Sequence, residues 1–121
     1  MTSNGNECAY EEYLPIIEAL RDKHALDIDF IDLSGVSGFA DAFIIATARS
    51  EINAQSLRDA AEEALEAMGF SHKIEGETSS RWLLIDAGNV VVHIFSRAGR
   101  EFYKLERLWG DAPSMRFDGE E

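Results

Sequence analysis

The sequence predicts one α/β domain, a mixed five-stranded sheet with helices packed on it. Three observations predict this. The chain has 121 residues and is 45% apolar, enough for one core and too short for two ordinary domains. Helical and strand periodicities follow one another as helix, strand, strand, helix, strand, strand, strand, helix. In the middle of this order, Trp82–Asp86 and Val90–Phe95 flank a Gly88-Asn89 turn signal, the pattern of a β-hairpin.

Taken in order, residues 1–9 are polar and read as a flexible N-terminus. Tyr13, Leu14, Ile16, Ile17 and Leu20 then recur at helical spacing, as far as about His24. Pro15 would disrupt an interior turn, so this helix should start near Glu12 or bend at the proline. Asp27–Leu33 begins with strict alternation and reads as a strand, followed by a Ser34–Gly38 loop. Ala42–Ala48 is a continuous apolar run, as expected of a central strand buried on both faces.

Ser50 is placed as the N-cap of a second helix, whose apolar stripe is Ile52, Leu57, Ala61, Ala64, Leu65 and Met68. Gly69 supplies its stop. Phe70–Glu75 reads as a third strand, Gly76–Ser80 as its loop, and the hairpin follows. A last helix of about ten residues should start just after Gly99, with Phe102, Leu105 and Trp109 on one side. Asp111-Ala112-Pro113 ends it. Residues 10–112 thus form the domain, and 113–121 an acidic tail.

The hairpin carries the most information. A turn of even length pairs even-numbered residues of its first strand with odd-numbered residues of its second. Strand side chains alternate faces, so Trp82, Leu84 and Asp86 share a face with Val91, His93 and Phe95. The opposite face, Leu83, Ile85, Val90, Val92 and Ile94, is wholly apolar and must be buried, most simply by helices. The first face mixes aromatic, acidic and imidazole groups, the composition expected where a sheet meets a partner.

A net charge of −12 opposes binding to a phosphate backbone and suits a basic protein partner, so no direct nucleic-acid specificity is expected. Against this background Arg97, Arg100, Lys104, Arg107 and Arg116 cluster late in the chain. The lone Cys8 precludes an internal disulfide. No signal-peptide pattern and no apolar run long enough to span a bilayer occur, so a cytoplasmic protein without membrane association is expected.

The catalytic readings are weak. The Gly35–Gly38 loop with Asp41 is neither a P-loop nor a dinucleotide fingerprint. It resembles the strand-loop-strand of metal-dependent nucleotidyltransferases, the alternative reading. Those enzymes need a second carboxylate one residue beyond the next, and that position is Phe43. His24, His72 and His93 lack ligand spacing, so no metal or cofactor is expected. His93 and Asp86 share a face and invite a hydrogen-bonded acid–base pair. The weightier reading is a partly buried histidine that steadies the sheet. Trp82 beside Arg81 is the preferred interface anchor, and Trp109 the preferred packing residue.

In order and spacing, several segments together resemble the Iojap family, also called ribosomal silencing factors. They are Asp27-Ile28 with Asp32, Ala40–Thr47, Glu75-Gly76, Trp82–Asp86, Val91–Phe95 and Arg100–Trp109. The resemblance implies a domain with nucleotidyltransferase-like topology and no enzyme activity. It implies binding to the large ribosomal subunit through large-subunit protein fourteen, which blocks subunit joining and represses translation when nutrients run short. A role in late large-subunit assembly is also implied. Family-type positions match at Asp41, Trp82, Asp86, His93, Arg100, Tyr103, Glu106 and Trp109. The partner-binding set expected from these is Trp82, Asp86, His93 and Tyr103, with Glu106 secondary. A third reading is a homodimer built on the same face when no partner is present. Pro15, the Ala48-Arg49-Ser50 turn and the acidic tail depart from the family pattern.

Overall fold

The structure, a computed structural model, describes residues 10–34, 40–75, 82–103 and 113–117. A 3-10 turn, Tyr10–Tyr13, leads into α1 (Leu14–Asp22). Pro15 falls in the first turn of α1, where its missing N–H has no partner to lose, so it starts the helix and does not bend it. Ile16, Ile17 and Leu20 are fully buried. His24, in the left-handed region at φ 65°, turns the chain out of the helix into β1 (Leu26–Asp32).

β2 (Ala42–Thr47) is buried on both faces, as its unbroken apolar run demands. α2 (Glu51–Ala67) starts on the Ser50 cap, whose Oγ accepts the Asn53 N–H at 3.0 Å. It ends before Gly69, at φ 86°. Ile52 was expected in the buried stripe and is instead 77% exposed. With Ser50 as cap, Ile52 lies about 140° around the helix from Leu57, off the face that carries Leu57, Ala61 and Leu65 inward.

The third strand, β3 (Lys73–Glu75), is shorter than the expected Phe70–Glu75. β4 (Trp82–Asp86) and β5 (Val90–Phe95) form the hairpin in the predicted register, with Trp82 opposite Phe95 and Asp86 opposite Val91. Gly88, at φ 85°, makes the turn, and its N–H is accepted by Asp86 Oδ1 at 2.9 Å. α3 (Arg97–Tyr103) starts earlier than the sequence suggests. Ser96 Oγ accepts the Gly99 N–H at 2.9 Å, so a serine cap starts the helix and Gly99 lies inside it. The expected continuation to Trp109 falls outside the described residues.

The sheet has six strands, not five, in the order β3-β4-β5-β2-β1-β6. The added strand, β6 (Ser114–Phe117), lies in the segment read as an acidic tail and pairs antiparallel with β1. Four largely exposed residues give no periodic signal. What holds them is long-range, namely the β1 ladder, the Arg116–Asp29 ion pair and an edge contact of Phe117 with Tyr10 at 5.3 Å. Among the described strands only β2 and β5 run parallel.

The helices α1 and α2 cover the back of this sheet. Ile16, Ile17, Leu20, Leu57, Ala61 and Leu65 pack there against Leu83, Ile85, Val90, Val92 and Ile94 in one core. The apolar hairpin face is therefore buried as its composition required. The mixed face is the front.

Candidate docking face

The front is built by strand alternation. The registers bring Phe43 beside Val91, Ile45 beside His93 and Thr47 beside Phe95, while Leu84 faces His93 from the other side. A small cluster of Ile31, Leu33, Ile45 and Phe95 is buried at its centre, with Phe43 and Trp82 half-buried against it. Leu84, Asp86 and Val91 are also half-buried. Trp82, Phe43, Leu84 and Val91 thus give the front an apolar, partly accessible surface along β4, β5 and β2, with the Asp86 carboxylate at one end.

His93 lies beneath this surface, 3% exposed. Its Nδ1 accepts the Trp82 indole N–H at 3.1 Å. Its ring meets the edge of Phe43 at 4.5 Å and stacks with Phe95 at 6.3 Å. Burial pushes its pKa down to about 4, so the ring is neutral near pH 7. An accepting Nδ1 puts the proton on Nε2, and Nε2 has no hydrogen-bond partner among the described residues. The pairing of His93 with Asp86 that the shared face suggested is not formed. Asp86 lies one alternation further along β4 and gives Oδ1 to its own turn. His93 steadies the sheet, and it does so through Trp82.

Trp82 is fixed at both ends of its indole. Its ring stacks on Phe95 at 5.3 Å, and its N–H is taken by His93. Tyr103 belongs to α3, but its side chain is outside what the structure describes, as are Glu106 and Trp109. Asp41 is exposed at the start of β2, its backbone N–H bonded to Asn89 O at 2.7 Å. The adjoining residues 35–39 are outside the described set. Among the described residues no group of three His, Cys, Asp or Glu is placed to hold a metal ion.

Of the late basic residues, Arg100 and Arg116 are committed to ion pairs and Arg97 is exposed, while Lys104 and Arg107 lie outside the described residues. Arg100 is buried at 8% exposure and ties α3 to the sheet. Its guanidinium donates to Asp29 Oδ2 at 2.6 Å, and to Thr47 Oγ1 and Asp27 O at 2.9 Å each. Arg116 of β6 grips the same carboxylate, with Nε 2.7 Å from Asp29 Oδ1 and a terminal nitrogen 2.8 Å from Oδ2. Asp29 is therefore clamped between two arginines from opposite sides of β1. The sequence marks Arg100 as a family-type position, but nothing local assigns it this role. The bulge between Leu26 and Asp29, with Asp27 at φ 47°, exposes the Asp27 carbonyl that Arg100 reaches.

Residues 7–121 match the family described as "Ribosomal silencing factor during starvation". The ribosomal silencing factor of Halalkalibacterium halodurans is 38% identical over 104 residues, spanning 85% of this chain and 89% of that one. The mouse protein named for mitochondrial assembly of the ribosomal large subunit is 28% identical over 98 residues, which span 78% of this chain and 43% of that protein. A crystal structure of a Chromobacterium violaceum protein superimposes with a TM-score of 0.77 at 33% identity, covering 92% of this chain and 87% of that one.

Proposed function

Because the chain belongs to the ribosomal silencing factor family, we propose that it acts by docking on the large ribosomal subunit at large-subunit protein fourteen. The bound protein would then block the small subunit from joining and repress translation under nutrient limitation. The observation that carries this is the front of the sheet. The two long helices are spent on the back, while Trp82, Leu84, Val91 and Phe43 keep part of their apolar surface accessible beside Asp86.

Trp82 and Asp86 are the proposed contacts, with Tyr103 and Glu106 of the following segment. His93, buried beneath them, contributes by holding the indole in one orientation, which lowers the entropy lost on docking. A charge of −12 favours encounter with a basic ribosomal protein. The action is steric and non-enzymatic, in the cytoplasm, on a topology related to nucleotidyltransferases. Phe43, at the position of their second carboxylate, supports the absence of their chemistry. A homodimer of the free protein would use the same front and compete with the partner. A contribution to large-subunit assembly belongs to the same reading.

Sedimentation with isolated ribosomal subunits tests this. The protein should travel with large subunits and not with small ones, and should slow subunit joining followed by light scattering. Trp82→Ala combined with Asp86→Asn should abolish both effects. The asparagine keeps a side-chain acceptor for the Gly88 N–H, so the turn survives. Wild-type sedimentation by that variant would remove Trp82 and Asp86 from the interface.

A further inference from the structure

The docking front does not stop at Trp82. Thr47 pairs with Phe95 at the carboxyl ends of β2 and β5, and Trp82, at the start of β4, lies opposite Phe95. The three strands therefore reach one margin of the sheet together. A cavity of about 470 Å³ opens at this margin. It is lined by Trp82 and by the residues that follow β2 and β5, among them Arg49, Ser96 and Arg97. Trp82 thus belongs both to the front and to the wall of the cavity, so the cavity borders the docking face.

The charge of this margin runs against the rest of the chain, which carries 23 acidic and 11 basic residues. Arg49, Arg58 and Arg97 line the cavity, and Glu51 is the one carboxylate among its lining residues. Arg58 is held by Asp59 at 3.1 Å. Arg49 and Arg97 are exposed, and neither side chain has a hydrogen bond or ion pair among the described residues. Asp86, the carboxylate of the front, lies at the far end of β4, about 13 Å from Trp82 in an extended strand. Exposed charges are screened over about 8 Å at physiological ionic strength. A partner that touches the margin therefore meets the arginines before it meets the net charge of −12.

We propose that Arg49 and Arg97 grip the phosphate backbone of ribosomal RNA at the rim of the docked front. The proposal rests on the docking reading and adds a second contact to it. A protein partner that attracts a chain of charge −12 is itself basic. The anion next to a basic ribosomal protein is the RNA whose phosphates it neutralises. Guanidinium forks match phosphate oxygens in pairs. Such contacts fix register and orientation and read no sequence, which agrees with the lack of nucleic-acid specificity expected from the composition. The front anchors the protein through Trp82, and the arginines beside it set the rotation about that anchor.

Binding of the full chain to intact large subunits and to isolated large-subunit protein fourteen, each over a range of salt concentrations, tests the proposal. The Arg49→Gln, Arg97→Gln variant should keep the wild-type circular dichroism and Tm, since both side chains are exposed. It should bind large subunits at least about tenfold more weakly, with a salt dependence shallower by about 1 to 2 in log–log slope. Its affinity for the isolated protein should equal that of wild type. Undiminished binding of the variant to large subunits overturns the proposal and leaves the docking reading standing. An equal loss on the isolated protein also overturns it, and assigns the arginines to carboxylates of that protein. A wild-type chain that binds neither target overturns the docking reading, and this proposal with it.

Discussion

Trp82 donates its indole N–H to Nδ1 of His93 across the hairpin, at 3.1 Å. The bond exists only while Nδ1 is unprotonated, and the buried ring packs against Phe43, Phe95 and Trp82 itself. The orientation of the most prominent front residue therefore depends on the charge state of one buried histidine.

Acid should destabilise the fold through His93. Its pKa is about 4 in the folded chain, against the ordinary imidazole value of 6.5 in the unfolded one. Between these values the unfolded state binds the extra proton. The contribution is thus fully present above pH 6.5 and is lost progressively as the pH falls towards 4, to a total of about 3 kcal/mol. An NMR titration of the His93 ring should give a pKa below about 5. Urea unfolding should show a shallower loss of stability between pH 7 and 4.5 for His93→Gln than for wild type. A ring that titrates near 6.5 would contradict the burial argument.

Removing Arg100 should cost more than any surface change. Arg100→Ala leaves Asp29 with Arg116 alone and leaves Thr47 and the Asp27 carbonyl without their donor. The expected loss is about 3 kcal/mol in urea unfolding. Arg100→Lys should recover only part of it, because an ammonium cannot present a planar fork to three acceptors. A cost close to zero would mean that α3 is not tied to the sheet through this residue.

The turn at Gly88 should resist any side chain for a backbone reason alone. A Cβ there would meet nothing within 4 Å, but φ is +85°. Gly88→Ala should therefore destabilise by about 1 kcal/mol, and Gly88→Asn by less, since asparagine tolerates the left-handed region. Equal costs for the two in thermal unfolding would point to sterics and not to backbone conformation.

At the start of α2, neighbouring residues should behave oppositely. Ser50→Ala removes the acceptor for the Asn53 N–H and should cost about 1 kcal/mol. Ile52→Gln removes a large apolar side chain that is 77% exposed and should stay within about 0.5 kcal/mol of wild type. A large loss at Ile52 would restore it to the core.

The sequence by itself determined whatever depends on near neighbours. Parity across a short turn set the hairpin register and so divided Trp82, Leu84 and Asp86 from Leu83 and Ile85. The Ser50 cap and the Gly69 stop follow from local backbone chemistry, and the succession of sequence motifs between Asp27 and Trp109 carried the family. Tertiary structure alone decided the rest. It gave His93 to Trp82 and not to Asp86, and drew Ser114–Phe117 onto β1 as a sixth strand. It spent Arg100 and Arg116 on Asp29. Periodicity and capping are constraints within a turn or two of chain. Each of these contacts joins residues that only the closing of the sheet brings together, and no local pattern encodes which distant partner a buried polar group will find.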